Sequence, residues 1–141
     1  MMNLIFVCGN PLIDEDNIVL SFLSRLREDF AEIEFREFDP TEDLDEAIAG
    51  CDLMAGGCLK KKVYIIDVVK DIDKVLVIDD LDALADSPKY SVHDYDLAFD
   101  LKMLVKMGRI EGAVIFGVPA EGDAEKIYAE LVETIRSTST E

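Results

Sequence analysis

The strongest constraint on what this chain can fold into is a run without a polar residue in it. Leu4, Ile5, Phe6, Val7 and Cys8 follow one another directly and are succeeded by Gly9, Asn10 and Pro11. A strand wet on one side alternates polar and apolar residues, whereas a strand covered on both sides has no reason to, so this run predicts a central strand of a parallel sheet. Gly9 and Asn10 tolerate turn geometry and Pro11 cannot donate to a ladder, which ends the strand there. From Ile18 onward, Ile18, Phe22, Leu26 and Phe30 recur at helical spacing, with Val19 and Leu23 widening the stripe. The intervening carboxylates Asp14, Glu15 and Asp16 therefore fall between a strand's carboxyl end and a helix's amino end. Ligands of open α/β sheets bind at such corners. An aspartate in that place also suits a helix cap, and the pattern alone leaves both roles open for Asp14 and Asp16.

The rest of the chain repeats the alternation of strand and helix. Residues 31–38 place Ile33, Phe35 and Phe38 among charged neighbours and predict a half-wet edge strand. Leu44, Ala47 and Ile48 predict a short helix ending at Gly50, and Met54 to Cys58 a loop. Val63 to Ile66 is a second apolar run, read as a strand stopped by Asp67. Lys74 to Ile78 is a further strand after a link too short for a parallel crossover of about a dozen residues, so it is expected to pair antiparallel or to change position in the sheet. Ser91 and Asp94 form a variant capping box that opens a helix with Leu97, Leu101, Leu104 and Val105 on its buried face and Gly108 at its end. His93 then lies in its first turn. Gly112 to Val118 is the last strand, and a final helix follows from about Asp123 through Ile127, Leu131 and Ile135. The expectation is a single three-layer α/β/α domain over residues 1–136, built on a mostly parallel five-stranded sheet with one antiparallel strand. Residues 137–141 are expected to be a disordered tail.

Composition narrows the functional classes. With 31 acidic against 14 basic residues the formal charge is −17, which repels a phosphate backbone, so nucleic acid is not an expected partner. No apolar run approaches the roughly 20 residues of a membrane span and no basic region opens the chain, so neither a membrane nor a secretory route is expected. Cys8, Cys51 and Cys58 form no close CxxC pair; Cys8 reads as strand packing, and Cys51 and Cys58 read as free thiols of a reducing compartment. Lys60, Lys61 and Lys62 form the one basic cluster and read as a solvated strand entrance. The expectation is a cytoplasmic monomer.

Three side chains stand out for chemistry. Asp16 and Asp67 at strand ends, with His93, the single histidine, at a helix start, supply two oxygens and one nitrogen, a donor set that suits zinc, nickel or iron and leaves coordination positions open. A helix amino terminus disfavours the imidazolium and keeps the histidine able to coordinate. Ordinary capping or surface roles fit the same residues. No dinucleotide fingerprint, phosphate loop or Gly-x-Ser-x-Gly elbow is present.

Gly9-Asn10-x-Leu12-x-x-Glu15-Asp16, Ile65-Ile66-Asp67, Ser91-x-His93-x-x-x-Leu97 and Ile115-Phe116-Gly117-Val118-Pro119 occur in this order along most of the chain. Together they resemble the hydrogenase maturation endopeptidases. The resemblance implies a protease that removes the carboxyl-terminal extension of a nickel-iron hydrogenase large-subunit precursor once nickel has been inserted. It also implies that Asp16, Asp67 and His93 contact that nickel, which arrives with the substrate and is not a resident cofactor. Whether the metal polarises the carbonyl or a carboxylate activates the water stays open at this point. Val7, Asn17 and Val19 stand where the family usually has glycines, and Asp39-Pro40-Thr41 replaces a Gly-rich loop. These departures resemble the archaeal forms that serve deazaflavin-reducing hydrogenases. A non-catalytic, nickel-dependent assembly module is the competing reading.

Overall fold

The computed structural model describes residues 4–8, 19, 21–38, 62–69, 72–79, 99, 101–108 and 110–139. Five strands form one sheet: β1 (Leu4–Cys8), β2 (Glu34–Phe38), β3 (Lys62–Val69), β4 (Leu76–Ile78) and β5 (Gly112–Pro119). Their spatial order is β2-β1-β3-β5-β4. The pairs β1–β2, β1–β3 and β3–β5 are parallel, and β4–β5 is antiparallel. The all-apolar β1 is an interior strand and the alternating β2 an edge, as their patterns require. The short link after β3 carries β4 past the position that β5 later fills, to the far edge. Three helices are described: α1 (Leu23–Asp29), α2 over residues 101–106 with Phe99 helical as well, and α3 (Ala124–Ser139).

Side-chain alternation divides the core into two layers. Ile5 and Val7 of β1, Phe35 of β2, Ile66 and Val68 of β3, and Val114, Phe116 and Val118 of β5 share one cluster with α1 and α3. The opposite sheet face carries Phe6, Val63, Ile65, Val69, Ala113 and Ile115, which are buried but lie outside that cluster. Leu101 and Leu104 of α2 are buried and also outside it, which assigns α2 to this second face and gives the three-layer arrangement. Val105, expected on the buried face, is only half-buried. Gly108 takes a φ of 73° directly after α2, a conformation open to glycine, and its amide reaches the Val105 carbonyl at 3.1 Å to close the helix where the sequence placed its end.

Two boundaries differ from expectation. The strand that was to stop at Asp67 continues through Val69, because β5 runs alongside and pairs residue for residue as far as Val69↔Pro119. The carboxyl-terminal helix runs to Ser139, so residues 137–139 belong to α3 and not to a disordered tail. The hydroxyls of Thr134 and Thr138 donate to the carbonyls of Glu130 and Thr134, at 2.7 and 2.9 Å. Bonding back to the helix lets these weak helix formers stay in it. The expected short helix around residues 44–48, the loop at residues 54–58, and Cys51 and Cys58 lie outside the described residues.

The two helices of the first layer are tied by a polar contact between distant parts of the chain. Tyr128 packs edge-on against Phe22, with ring centroids 5.2 Å apart, and its hydroxyl donates to Asp29 at 2.5 Å. Arg25 lies over the same ring at 4.0 Å and grips Glu125 through both terminal nitrogens at 3.0 and 3.1 Å. Burial first, and the bond to Asp29 second, push the phenol well above its ordinary value near 10. A group whose folded value is raised contributes stability that is complete below its unfolded value and lost as pH rises through the folded one. The wild type is therefore expected to lose stability above pH 10. Tyr128→Phe should cost about 1 kcal/mol at neutral pH and remove part of that alkaline slope, as read by urea unfolding at pH 7 and pH 10.5.

Candidate functional site

The order β2-β1-β3 places the connection leaving β1 on one side of that strand and β3 on the other. This is a topological switch point, and in parallel sheets the crevice outside the carboxyl ends of two such strands receives ligands. The pairs Phe6↔Ile65 and Val7↔Ile66 fix the register there. Continued by one residue, it sets Asp67 level with Cys8, the last residue of β1. Asp67 is thus inside β3 yet at the height where β1 ends, with Val68 and Val69 extending beyond it beside β5. The register shows the two strands side by side and parallel.

Asp67 is 2% exposed and is the one buried polar or charged side chain among the described residues. Every other interior position of β3 from Val63 to Val69 is apolar or aromatic. Its Oδ1 accepts the amide of Val68 at 2.9 Å, and its side chain shares the sheet face covered by α2. Removing a carboxylate from water costs several kcal/mol unless hydrogen bonds or a cation compensate, so a packing role alone gives no reason to prefer aspartate to valine here. Its neighbour across the β3–β5 ladder is Gly117. A Cβ added at Gly117 would lie 2.9 Å from Cγ2 of Val69, so this glycine lets Val69 close over the strand next to Asp67.

Asp16 and His93, the other two members of the expected triad, lie outside the described residues, as does the Gly9–Asn10 turn. Their distances to Asp67 are therefore not part of the geometry set out above. The described residues taken alone hold no group of three or more His, Cys, Asp and Glu side chains that could bind a metal ion. Lys62 of the expected strand entrance is exposed. A cavity of about 570 Å³ opens at the other end of the sheet, lined by Lys62, Tyr64, Val77, Asp79 and Glu133 among others. It adjoins the amino-terminal ends of β3 and β5, and Asp67 does not line it. No helix among the described residues is long and apolar enough to cross a membrane.

The chain is a single-domain α/β fold with a mixed, mostly parallel five-stranded sheet. No family model matches this chain, and no curated protein does. A crystal structure of an uncharacterized protein from Wolinella succinogenes is similar over 99% of this chain and 96% of that one, with a TM-score of 0.56 and 12% identity. At that identity the likeness concerns the fold.

Proposed function

We propose that the protein is an endopeptidase of the hydrogenase maturation type, which removes the carboxyl-terminal extension from a nickel-iron hydrogenase large-subunit precursor after nickel insertion. The observation that carries this reading is Asp67, a carboxylate buried among apolar residues at the switch point, at the level where β1 ends. The four motifs that resemble the family support it. Asp16, Asp67 and His93 would offer the precursor's nickel two oxygens and one nitrogen, an incomplete set suited to a metal that already has ligands of its own. Nickel so held would fix the neighbouring peptide bond in the crevice, and an empty precursor would lack that anchor. Work on a precursor still being assembled also places the protein in the cytoplasm.

The deciding experiment mixes the protein with precursor from the same cell, nickel-loaded or nickel-free, and follows the precursor's mass. Loss of a carboxyl-terminal peptide is expected from the loaded form alone. Equal cleavage of both forms removes nickel from the recognition step. Binding of loaded precursor with no cleavage assigns the protein to the non-catalytic assembly modules.

A further inference from the structure

The cavity at the amino-terminal ends of β3 and β5 is lined by charges of both signs that do not pair with one another. Parallel partners in register face the same way, so Lys62, Tyr64 and Val114 share the sheet face that carries Phe116. Antiparallel pairing sets Val77 opposite Phe116, and one alternation further places Asp79 on that face too. The floor therefore spans three strands, from Lys62 on β3 to Asp79 just past β4, while Glu133, Thr134 and Thr138 of α3 form the wall. Gly112, level with Lys62, adds no side chain, and a Cβ built there would meet nothing within 4 Å. The volume of about 570 Å³ falls within the range of small-molecule sites.

Lys62, Asp79 and Glu133 are exposed, and among the described residues none of the three side chains makes a hydrogen bond or an ion pair. Two strand spacings and two residues separate the backbones of Lys62 and Asp79, roughly 12 Å. The hydroxyls of Thr134 and Thr138 donate to the Glu130 and Thr134 carbonyls, so both oxygens offer the cavity only lone pairs. The two carboxylates likewise only accept. Tyr64 adds an aromatic ring, whose face attracts cations. The side formed by β4 and α3 thus suits a group rich in N–H donors, and the Lys62 end suits an anion. The geometry points to a binding site for a small zwitterion, with a guanidinium or ammonium held by Asp79 and Glu133 and a carboxylate, a few methylenes away, at Lys62. A plain cation is a poorer occupant, because it leaves Lys62 as an uncompensated like charge. A plain anion meets two carboxylates and hydroxyls with no hydrogen to donate. The site lies at the other end of the strands from Asp67 and on the opposite sheet face, and it stands independently of the endopeptidase reading.

The test titrates the full-length protein with 4-guanidinobutyrate, 4-aminobutyrate and arginine at low salt, reading affinity by calorimetry and location by backbone amide shifts. Saturable binding of at least one is expected, with Kd of about 1 mM or tighter and shifts concentrated in residues 62–64, 77–79 and 133–138. Asp79→Asn and Lys62→Gln should each weaken it at least about fivefold while keeping the wild-type melting temperature. Should Asp79→Asn not fold, Glu133→Gln reports the same end of the cavity. Agmatine, which carries an ammonium in place of the carboxylate, should bind the wild type at least about tenfold more weakly than 4-guanidinobutyrate and gain affinity in Lys62→Gln. No saturable binding of any of the three zwitterions overturns the site, as do shifts that fall elsewhere or an affinity unchanged in both variants. Agmatine bound as tightly as 4-guanidinobutyrate overturns the zwitterion in favour of a plain cation.

Discussion

If the endopeptidase proposal holds, Asp67→Asn is expected to lower cleavage of the nickel-loaded precursor at least about a hundredfold while leaving the urea midpoint unchanged or slightly raised. The magnitude follows from metal sites in general, where loss of a partner one shell further out already costs about 10–100-fold in affinity or activity. The amide keeps the shape and retains an oxygen able to accept the Val68 amide. What it lacks is the negative charge that, on this proposal, would attract the precursor's nickel. Stability moves the other way because a buried neutral amide has less hydration to forfeit than a carboxylate. The two readouts separate the roles of this residue. If the carboxylate is there to hold the fold, the variant unfolds at clearly lower urea while its activity per folded molecule persists. That outcome would sink the assignment of Asp67 to the metal site.

How much of this was legible beforehand depends on which kind of signal each feature carries. β1 and β5 advertise themselves because two-sided burial removes alternation, and β2 does so because its edge position restores it. The antiparallel β4 follows from the length of a single link. Asp67 was found as a candidate but misplaced as a strand end, since a carboxylate in an apolar run reads as a stop when no partner strand is visible. Only the ladder with β5 reveals that the strand continues. The exposed side of α2 is not legible in the sequence for a related reason. Residues 101–107 are apolar on nearly every side, so the buried pair Leu101 and Leu104 cannot be told from the exposed Met103 and Met107 until the sheet is in place. The Tyr128–Asp29 bond joins residues 99 positions apart, and no local pattern announces it. Asp16 and His93 are legible as residue types at a helix start, and nothing more about them rests on the described residues.

Phe116→Ala is expected to have the largest effect on stability of any single substitution among the described residues. Phe116 is fully buried in β5 and belongs to the cluster between the sheet and helices α1 and α3, with its ring stacked near that of Tyr64 at 6.4 Å. Emptying such a site forfeits the transfer energy of the ring and leaves a cavity that β-sheet neighbours on both sides cannot collapse to fill, about 3–5 kcal/mol together. A domain of this size has about 5–15 kcal/mol in all, so the variant falls close to the threshold of folding. With a urea dependence of about 2 kcal/mol/M, the midpoint should drop by about 2 M. Phe116→Leu, which keeps most of the volume, should lose distinctly less, and equal losses for the two would show that cavity formation is not the cause. The same variant bears on function by contrast with Asp67→Asn. Phe116 pairs in register with Ile66 and points to the sheet face opposite Asp67. Below its new midpoint, the cleavage per folded molecule that the endopeptidase proposal requires should therefore match the wild type. A loss of activity beyond the unfolded fraction would mean that the sheet transmits strain to the carboxylate one residue away.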